Sequence, residues 1–342
     1  MRYKLLGKSG LRVSELCLGT MTFGETWGWG ASLDESEKIF RRFSEAGGNF
    51  IDTSCNYTEG TSETFLGEFL GANRDSFVVA TKYTLTKTTS TDPNSGGNSR
   101  KNMMRSVESS LRRLRTDYLD ILYLHVWDYM TPVDEVLRGL DDLVRQGKTA
   151  YIAVSDTPAY IVAQANMLAE LRGWAAFIGL QAPYSLNRRD IERELLPMAK
   201  HWGMGVMPWG VIGGGVLTGK YDETDDESPK RYDPARMTVR ERTRAIIDAV
   251  KAVSEETGHS RAQVAINWVR QQQHQAQIVP IIGARTVAQL EDNLGVLAWT
   301  LTDAQLQRLS EASAIDLGFP HDFTPGNPYI YGATYDLIDK RP

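Results

Sequence analysis

Short apolar runs alternate with amphipathic helical stretches eight times along this chain, and no other feature limits its folds as strongly. The runs are Glu15–Thr20, those ending at Asp52, Lys82 and His125, then Tyr151–Val154, Phe177–Ala182, Gly205–Trp209 and Gln277–Ile281. Runs this short, apolar throughout and separated by helices, read as parallel strands buried on both faces. Eight repeats of strand and helix fit a closed (β/α)8 TIM barrel, of class α/β, better than an open sheet. Ahead of the first run, Tyr3 to Val13 reads as a hairpin turning at Lys8-Ser-Gly10. Length beyond the roughly 250 residues of such barrels lies in this hairpin, long loops at the C-terminal face and the tail.

The helical stretches carry their own boundaries. Ser32-Leu-Asp-Glu35 has the spacing of a capping box, Ile39, Phe40, Phe43 and Ala46 line one face, and Gly47 stops the helix. Others are expected from about Ser62 to Leu70, Arg100 to Leu114, from Thr131-Pro132 to Gly147, from Pro158 and from about Asp190. An insertion with an acidic patch, Asp222 to Glu227, precedes helices near Val239–Glu256 and Arg261–Gln272, and a last one spans Val287–Leu294. No linker-like segment divides the 342 residues, so 1–342 reads as one barrel domain.

Composition excludes several functions. A net charge of −5 does not favour nucleic acid or an anionic membrane as partner. No apolar run approaches the ~20 residues of a membrane span, and Met-Arg-Tyr-Lys lacks a signal-peptide apolar region. Two cysteines, Cys17 and Cys55, make a disulfide framework unexpected, and a cytoplasmic location is the expectation. The five histidines show no metal spacing, so no metal site is expected. Gly214–Lys220 has P-loop glycine-lysine spacing, but Tyr221 stands where Mg²⁺ needs a hydroxyl. Gly28-Trp-Gly30 begins like a dinucleotide fingerprint but has Leu33 where the third glycine belongs.

In a barrel of this kind the chemistry gathers at the C-terminal ends of the strands. Asp52, Lys82 and His125 end three consecutive runs, and Tyr57 follows Asp52 by five residues in a loop able to fold over the mouth. A phenol beside an ammonium, with a carboxylate to orient the ammonium and an imidazole nearby, makes a tunable proton donor. Carbonyl reduction needs such a donor, because the alkoxide left by hydride delivery must be protonated. The expected action of Lys82 is to lower the Tyr57 pKa by ~2–3 units, equivalent to roughly 3–4 kcal/mol.

These residues and the stretch Gly47-Gly-Asn-Phe-Ile-Asp-Thr-Ser-Cys-Asn-Tyr57, with Gly60 and Glu63, resemble the aldo-keto reductase superfamily. Asn98-Ser-Arg-Lys-Asn, Leu119–Met130, Val154–Pro158 and Asp316–Pro320 look most like its aryl-alcohol dehydrogenase group. The resemblance spans nearly the whole chain. It implies Asp52, Tyr57, Lys82 and His125 as catalytic tetrad and NADP(H) as cofactor, extended across the barrel mouth. It places Thr20 and Met21, at the end of the first strand, among the cofactor contacts, Asp52 near the nicotinamide ribose, Ser155, Asp156 and Gln181 on the carboxamide, and Trp209 against the ring. Gly210, Val211, Ile212, Gly213, Gly215 and Lys220 are expected at the pyrophosphate; Gly283, Arg285, Gln289, Asp292 and Asn293 at the adenosine. Arg285 offers bidentate donors to a 2′-phosphate, which favours NADPH over NADH. Asp156 stands where the wider superfamily often has Asn, and Gly210 where many members have Ser.

Trp27, Trp29, Tyr83 and Trp127, with Tyr129 and Met130, are expected at the mouth as a pocket for aryl or other bulky carbonyl compounds. The tail aromatics Phe319, Phe323, Tyr329 and Tyr331 are left either closing that pocket or docking outside it. The activity implied is reversible, NADPH-dependent reduction of aldehydes or ketones with Tyr57 as general acid and base. The competing reading is a nucleotide-sensing regulatory subunit resembling the potassium-channel β-subunits.

Overall fold

A ring of parallel strands dictates where every functional side chain can point. The computed structural model describes residues 1–219, 241–324 and 327–339. The acidic patch Asp222–Glu227 and Lys220 lie outside the described residues. The chain opens with β1 (Tyr3–Leu5) paired antiparallel to β2 (Arg12–Ser14). Then come β3 (Cys17–Gly19), β4 (Phe50–Asp52), β5 (Val78–Tyr83), β6 (Leu119–Leu124), β7 (Thr149–Ser155), β8 (Phe177–Pro183) and β9 (Gly205–Trp209). Each pairs in parallel with the next.

The eighth strand differs from expectation, because it is broken into β10 (Gln277–Ile278) and β11 (Ile281–Gly283). Pro280 has no N–H to give a ladder, so the run breaks beside it. The two pieces face different neighbours: β10 pairs with β9 and β11 with β3. Val279 N donates to Val206 O at 2.8 Å and Pro280 O accepts from Cys17 N at 2.9 Å. The broken strand thereby closes the ring and completes the (β/α)8 barrel.

Helices α1 (Leu33–Glu45), α2 (Thr61–Leu70), α3 (Arg100–Leu114), α4 (Val133–Arg145), α5 (Ala159–Arg172) and α6 (Leu195–Trp202) follow the first six barrel strands. After β9 come α7 (Glu241–Thr257) and α8 (Arg261–Arg270), and after β11 come α9 (Val287–Leu294) and α10 (Asp303–Ala312). No helix among the described residues is long and apolar enough to cross a membrane. Ser32 caps α1 by accepting from Glu35 N, but the capping box is only half formed. The Glu35 carboxylate instead accepts from Val287 N at 2.8 Å, capping α9 across the fold.

Two cores result. One lies between strands and helices and includes Ile51, Val79, Leu122, Leu180 and Trp268. The other fills the barrel with Cys17, Phe50, Val78, Ala80, Ile121, Tyr123 and Met207, joined by Leu6 and Val13 from the hairpin region. Residues two apart on a strand share a face, and this parity carries through to the mouth.

Candidate active site

Parity sets the site. On β4, Phe50 and Asp52 point inward; on β5, Val78, Ala80 and Lys82 do so; on β6, Ile121 and Tyr123 lead to His125. Lys82 is fully buried, and its Nζ donates to Asp52 Oδ2 at 2.7 Å, Thr53 O at 2.7 Å and Tyr57 Oη at 3.1 Å. All three ammonium donors are therefore used. The other Asp52 oxygen accepts from Gln181 Nε2 at 2.8 Å, so the carboxylate is held from both ends. The Tyr57 and His125 rings meet edge to face with centroids 6.0 Å apart. The four expected residues thus stand together at one point of the mouth.

Burial modifies the expected electrostatics. It pushes the Tyr57 phenol above its ordinary value; the charge of Lys82 pulls the other way without reversing the result. The expectation of a lowered phenol pKa is corrected here, because the desolvated phenolate costs more than one ammonium returns while Asp52 opposes it. For Lys82, burial disfavours the charged form, but Asp52 and Tyr57 hold the ammonium above its usual range. His125 is pushed well below the usual histidine value, first by burial and then by the Lys82 charge. At neutral pH the site therefore holds a protonated phenol, a charged lysine and a neutral imidazole.

Ser54 and Asn56, not singled out from the sequence, orient that imidazole. Ser54 Oγ donates to Asn56 Oδ1 at 2.7 Å and lies 3.1 Å from His125 Nδ1. With its single proton committed to Asn56, Ser54 accepts from Nδ1, which leaves Nε2 as the acceptor. Turning the Asn56 amide over would let Ser54 donate to Nδ1 instead and move the histidine proton to Nε2. Both residues sit in the polar run Thr53-Ser-Cys-Asn56 between Asp52 and Tyr57, and that run was the available clue.

A cavity of about 580 Å³ opens over these groups, well inside the range of small-molecule and cofactor sites. Of the residues expected at a cofactor, it is lined by Met21, Asp52, Ser155, Asp156, Gln181, Trp209, Gly210, Val211, Ile212, Gly215, Gly283, Arg285, Gln289, Asp292 and Asn293. Thr20 and Gly213 are not in the lining. Thr20 has the opposite parity to Gly19 and Met21, and its hydroxyl is tied to Asp52 O and Ser62. Gly213 faces the Asn187 side chain. Asp156, at φ 40°, accepts from Trp209 Nε1 at 3.4 Å, and burial raises its pKa. At the far end, Arg285 N donates to Gln289 Oε1, Asn293 Nδ2 donates to Gly283 O, and Asp292 accepts from Ser260 and Gln263.

Trp27 and Trp29 line the cavity, with their rings 5.9 Å apart. Tyr83 and Trp127 do not. Tyr83 follows Lys82 and so points outward, fully buried beneath the helices, and Trp127 packs in the same outer core. Tyr129 and Met130 are exposed and outside the lining, as are Phe319, Phe323 and Tyr329 of the tail. Leu85, Ala262 and Ile266 supply apolar wall that the sequence reading missed. The helix α8 residues could be found only once that helix was placed over the mouth.

Comparison with known proteins agrees with this arrangement. Residues 15–314 match the aldo/keto reductase family. An aryl-alcohol dehydrogenase of Pestalotiopsis microspora is 37% identical over 94% of this chain and 85% of its own length. A norsolorinic acid reductase of Emericella nidulans is 39% identical over 94% of this chain and 83% of its own. An aryl-alcohol dehydrogenase [NADP(+)] of Phanerodontia chrysosporium is 38% identical over 97% of this chain and 89% of its own.

Proposed function

Since the chain belongs to the aldo/keto reductase family, we propose that it is an NADPH-dependent oxidoreductase that reversibly reduces aryl or other bulky aldehydes and ketones to alcohols. The observation that carries the reading is the buried Asp52–Lys82–Tyr57 chain, which ends in a phenol at the cavity wall. Names among the relatives support the substrate and cofactor classes, since they include dehydrogenases of aryl alcohols and one marked NADP(+).

A buried polar atom tests the fit of the cofactor. Ser155 belongs to the cavity lining and its buried Oγ has no hydrogen-bond partner among the described residues; a buried hydroxyl left so is costly unless a ligand group meets it. A carboxamide would meet it, with Gln181 and Asp156 alongside. Trp209 offers a flat face for the nicotinamide ring, the Gly210–Gly215 stretch lets a phosphate approach the backbone closely, and Arg285 suits a 2′-phosphate. When bound, NADPH supplies the hydride that reduces the carbonyl carbon.

The chain's own residues do the proton chemistry. Tyr57, kept protonated by burial, hands its proton to the substrate oxygen and is left as a phenolate. Lys82, 3.1 Å away and held charged by Asp52, stabilises that anion. His125, neutral, packs edge-on against the ring of Tyr57 and limits where the substrate oxygen can sit. Trp27, Trp29 and Leu85 supply apolar surface for the rest of the substrate. In the oxidative direction the Tyr57 phenolate takes the alcohol proton back.

Replacing Tyr57 with Phe tests the reading. Steady-state reduction of a test aryl aldehyde, followed by NADPH absorbance, should be lost, while NADPH binding by fluorescence stays close to that of the parent. Unchanged turnover would remove Tyr57 from the acid role.

A further inference from the structure

The chain directly after Tyr57 takes a route that its residues disfavour. Thr58 sits at φ 45°, ψ 42°, Glu59 at φ 59°, ψ 27°, and Gly60 at φ 98°. Glycine accepts such a conformation freely, but a β-branched residue there is a true outlier. Strain of this kind persists only where the surroundings over-determine it, and it gathers at functional sites.

The surroundings of Thr58 are specific. The residue is fully buried, and its Oγ1 donates to Phe23 O at 2.6 Å and accepts from Ser62 N at 3.2 Å. The second bond anchors the start of α2, while the first reaches the β3–α1 loop. Phe23 forms a bridge with Ala31, and these two residues bracket the segment that presents Trp27 and Trp29 to the cavity. Gly24 makes the approach possible: a Cβ there would lie 2.8 Å from Thr58 Oγ1. One hydroxyl therefore joins the turn that carries the proton donor to the loop that carries the tryptophan wall.

We propose that Thr58 is a positioning residue for the reaction: its hydroxyl locks the left-handed turn that aims Tyr57 at Lys82 and keeps that phenol in register with the Trp27–Trp29 wall. The inference rests on the reading of Tyr57 as proton donor. A displacement of about 1 Å at a reacting group can cost on the order of 100-fold in rate. Tyr57 N is fixed on Ser54 O at 3.1 Å and Glu59 N on Asn56 O at 3.1 Å, so the Thr58 hydroxyl is the side-chain anchor of a turn whose backbone is tied on both sides of it.

The experiment compares Thr58→Ala, Thr58→Gly and Thr58→Ser. Glycine relieves the left-handed strain and so keeps the protein folded if alanine does not; serine keeps the hydroxyl. For the Ala and Gly variants kcat for aryl aldehyde reduction should fall by about 10- to 100-fold. NADPH affinity should stay within about twofold, and serine should restore most of the rate. The pH profile of alcohol oxidation should move to higher pH in the Ala and Gly variants, because a phenol drawn away from Lys82 ionises less readily. A role in folding alone would lower thermal stability and leave kcat and that profile where they were. Parental kcat and pH profile in folded Thr58→Gly overturn the inference. If Tyr57→Phe keeps full activity, the reading beneath it fails instead, and this inference with it.

Discussion

Replacing Asp52 with Asn removes one charge and almost no volume, so it isolates what the carboxylate does for Lys82. The ammonium is fully buried, and its carboxylate partner is only 4% exposed as a side chain, so water screens the pair little. Removing one partner of a buried ion pair costs about 3–5 kcal/mol, because the other charge is left without compensation. An unfolding entropy of roughly 2.1 cal/mol/K per residue over 342 residues turns that into a fall of ~4–7 °C in Tm, provided unfolding is two-state.

The pH dependence separates charge from the lost hydrogen bond to Gln181. In the parent, Lys82 is held above its unfolded value near 10.4, so its contribution is complete below that pH and is lost only as pH climbs past the folded value. In Asp52→Asn, burial acts on the ammonium with no carboxylate to oppose it, and the folded value drops below the unfolded one. The folded state then binds fewer protons than the unfolded chain, and stability rises with pH up to about 10.4. The gap between variant and parent should be widest near neutrality and close by up to ~1.4 kcal/mol per pH unit above the variant's folded value. Thermal unfolding by circular dichroism at pH 7, 8, 9 and 10, on both proteins, measures it. Equal stability at pH 7, or a gap of constant size across the series, refutes the argument. Reduction should be impaired as well, because a neutral lysine cannot hold the phenolate left on Tyr57.

Arg285→Ala should raise the KM for NADPH roughly 10- to 100-fold, the size of one or two charged hydrogen bonds, and leave the KM for NADH nearly unchanged; equal losses with both would place the guanidinium elsewhere. His125 is held neutral by burial and by Lys82, so kcat for reduction should show no limb near the ordinary histidine value of about 6.5. A limb there that disappears in His125→Gln would mean that the imidazole titrates in the working range.

Much of the architecture was legible in the residues because local pattern and fold agree. α3 and α9 begin and end where periodicity and capping place them, and β9 spans the apolar run from Gly205 to Trp209. Asp52, Lys82 and His125 could be read as convergent because each closes a run that must lie in the barrel wall. What failed, failed for physical reasons. Tyr83 is expected at the mouth from its place at a strand end and Thr20 from the family resemblance, whereas the two-residue period of a strand points both away from the cavity. Glu35 left its own helix cap for Val287, a partner 252 residues away that no local pattern announces.

The sign of the Tyr57 shift is the deepest of these failures. A sequence displays charges and suggests which will meet, so Lys82 beside Tyr57 argued for an acidified phenol. It does not display how much water the fold takes away. With Lys82 and Tyr57 enclosed and Asp52 set behind the ammonium, the field that would favour a phenolate is both partly cancelled and outweighed by desolvation. The same enclosure is useful in the reductive direction, since a phenol that keeps its proton at neutral pH is loaded for donation. In the proposed reaction the ammonium acts on the anion that forms only once the proton has gone. Under the proposed function, Lys82 is a stabiliser of the product state of proton transfer rather than an acidifier of the resting phenol. Thr58 and Ser54 belong to the same account, because such a donor works only if its oxygen is held where the alkoxide will appear.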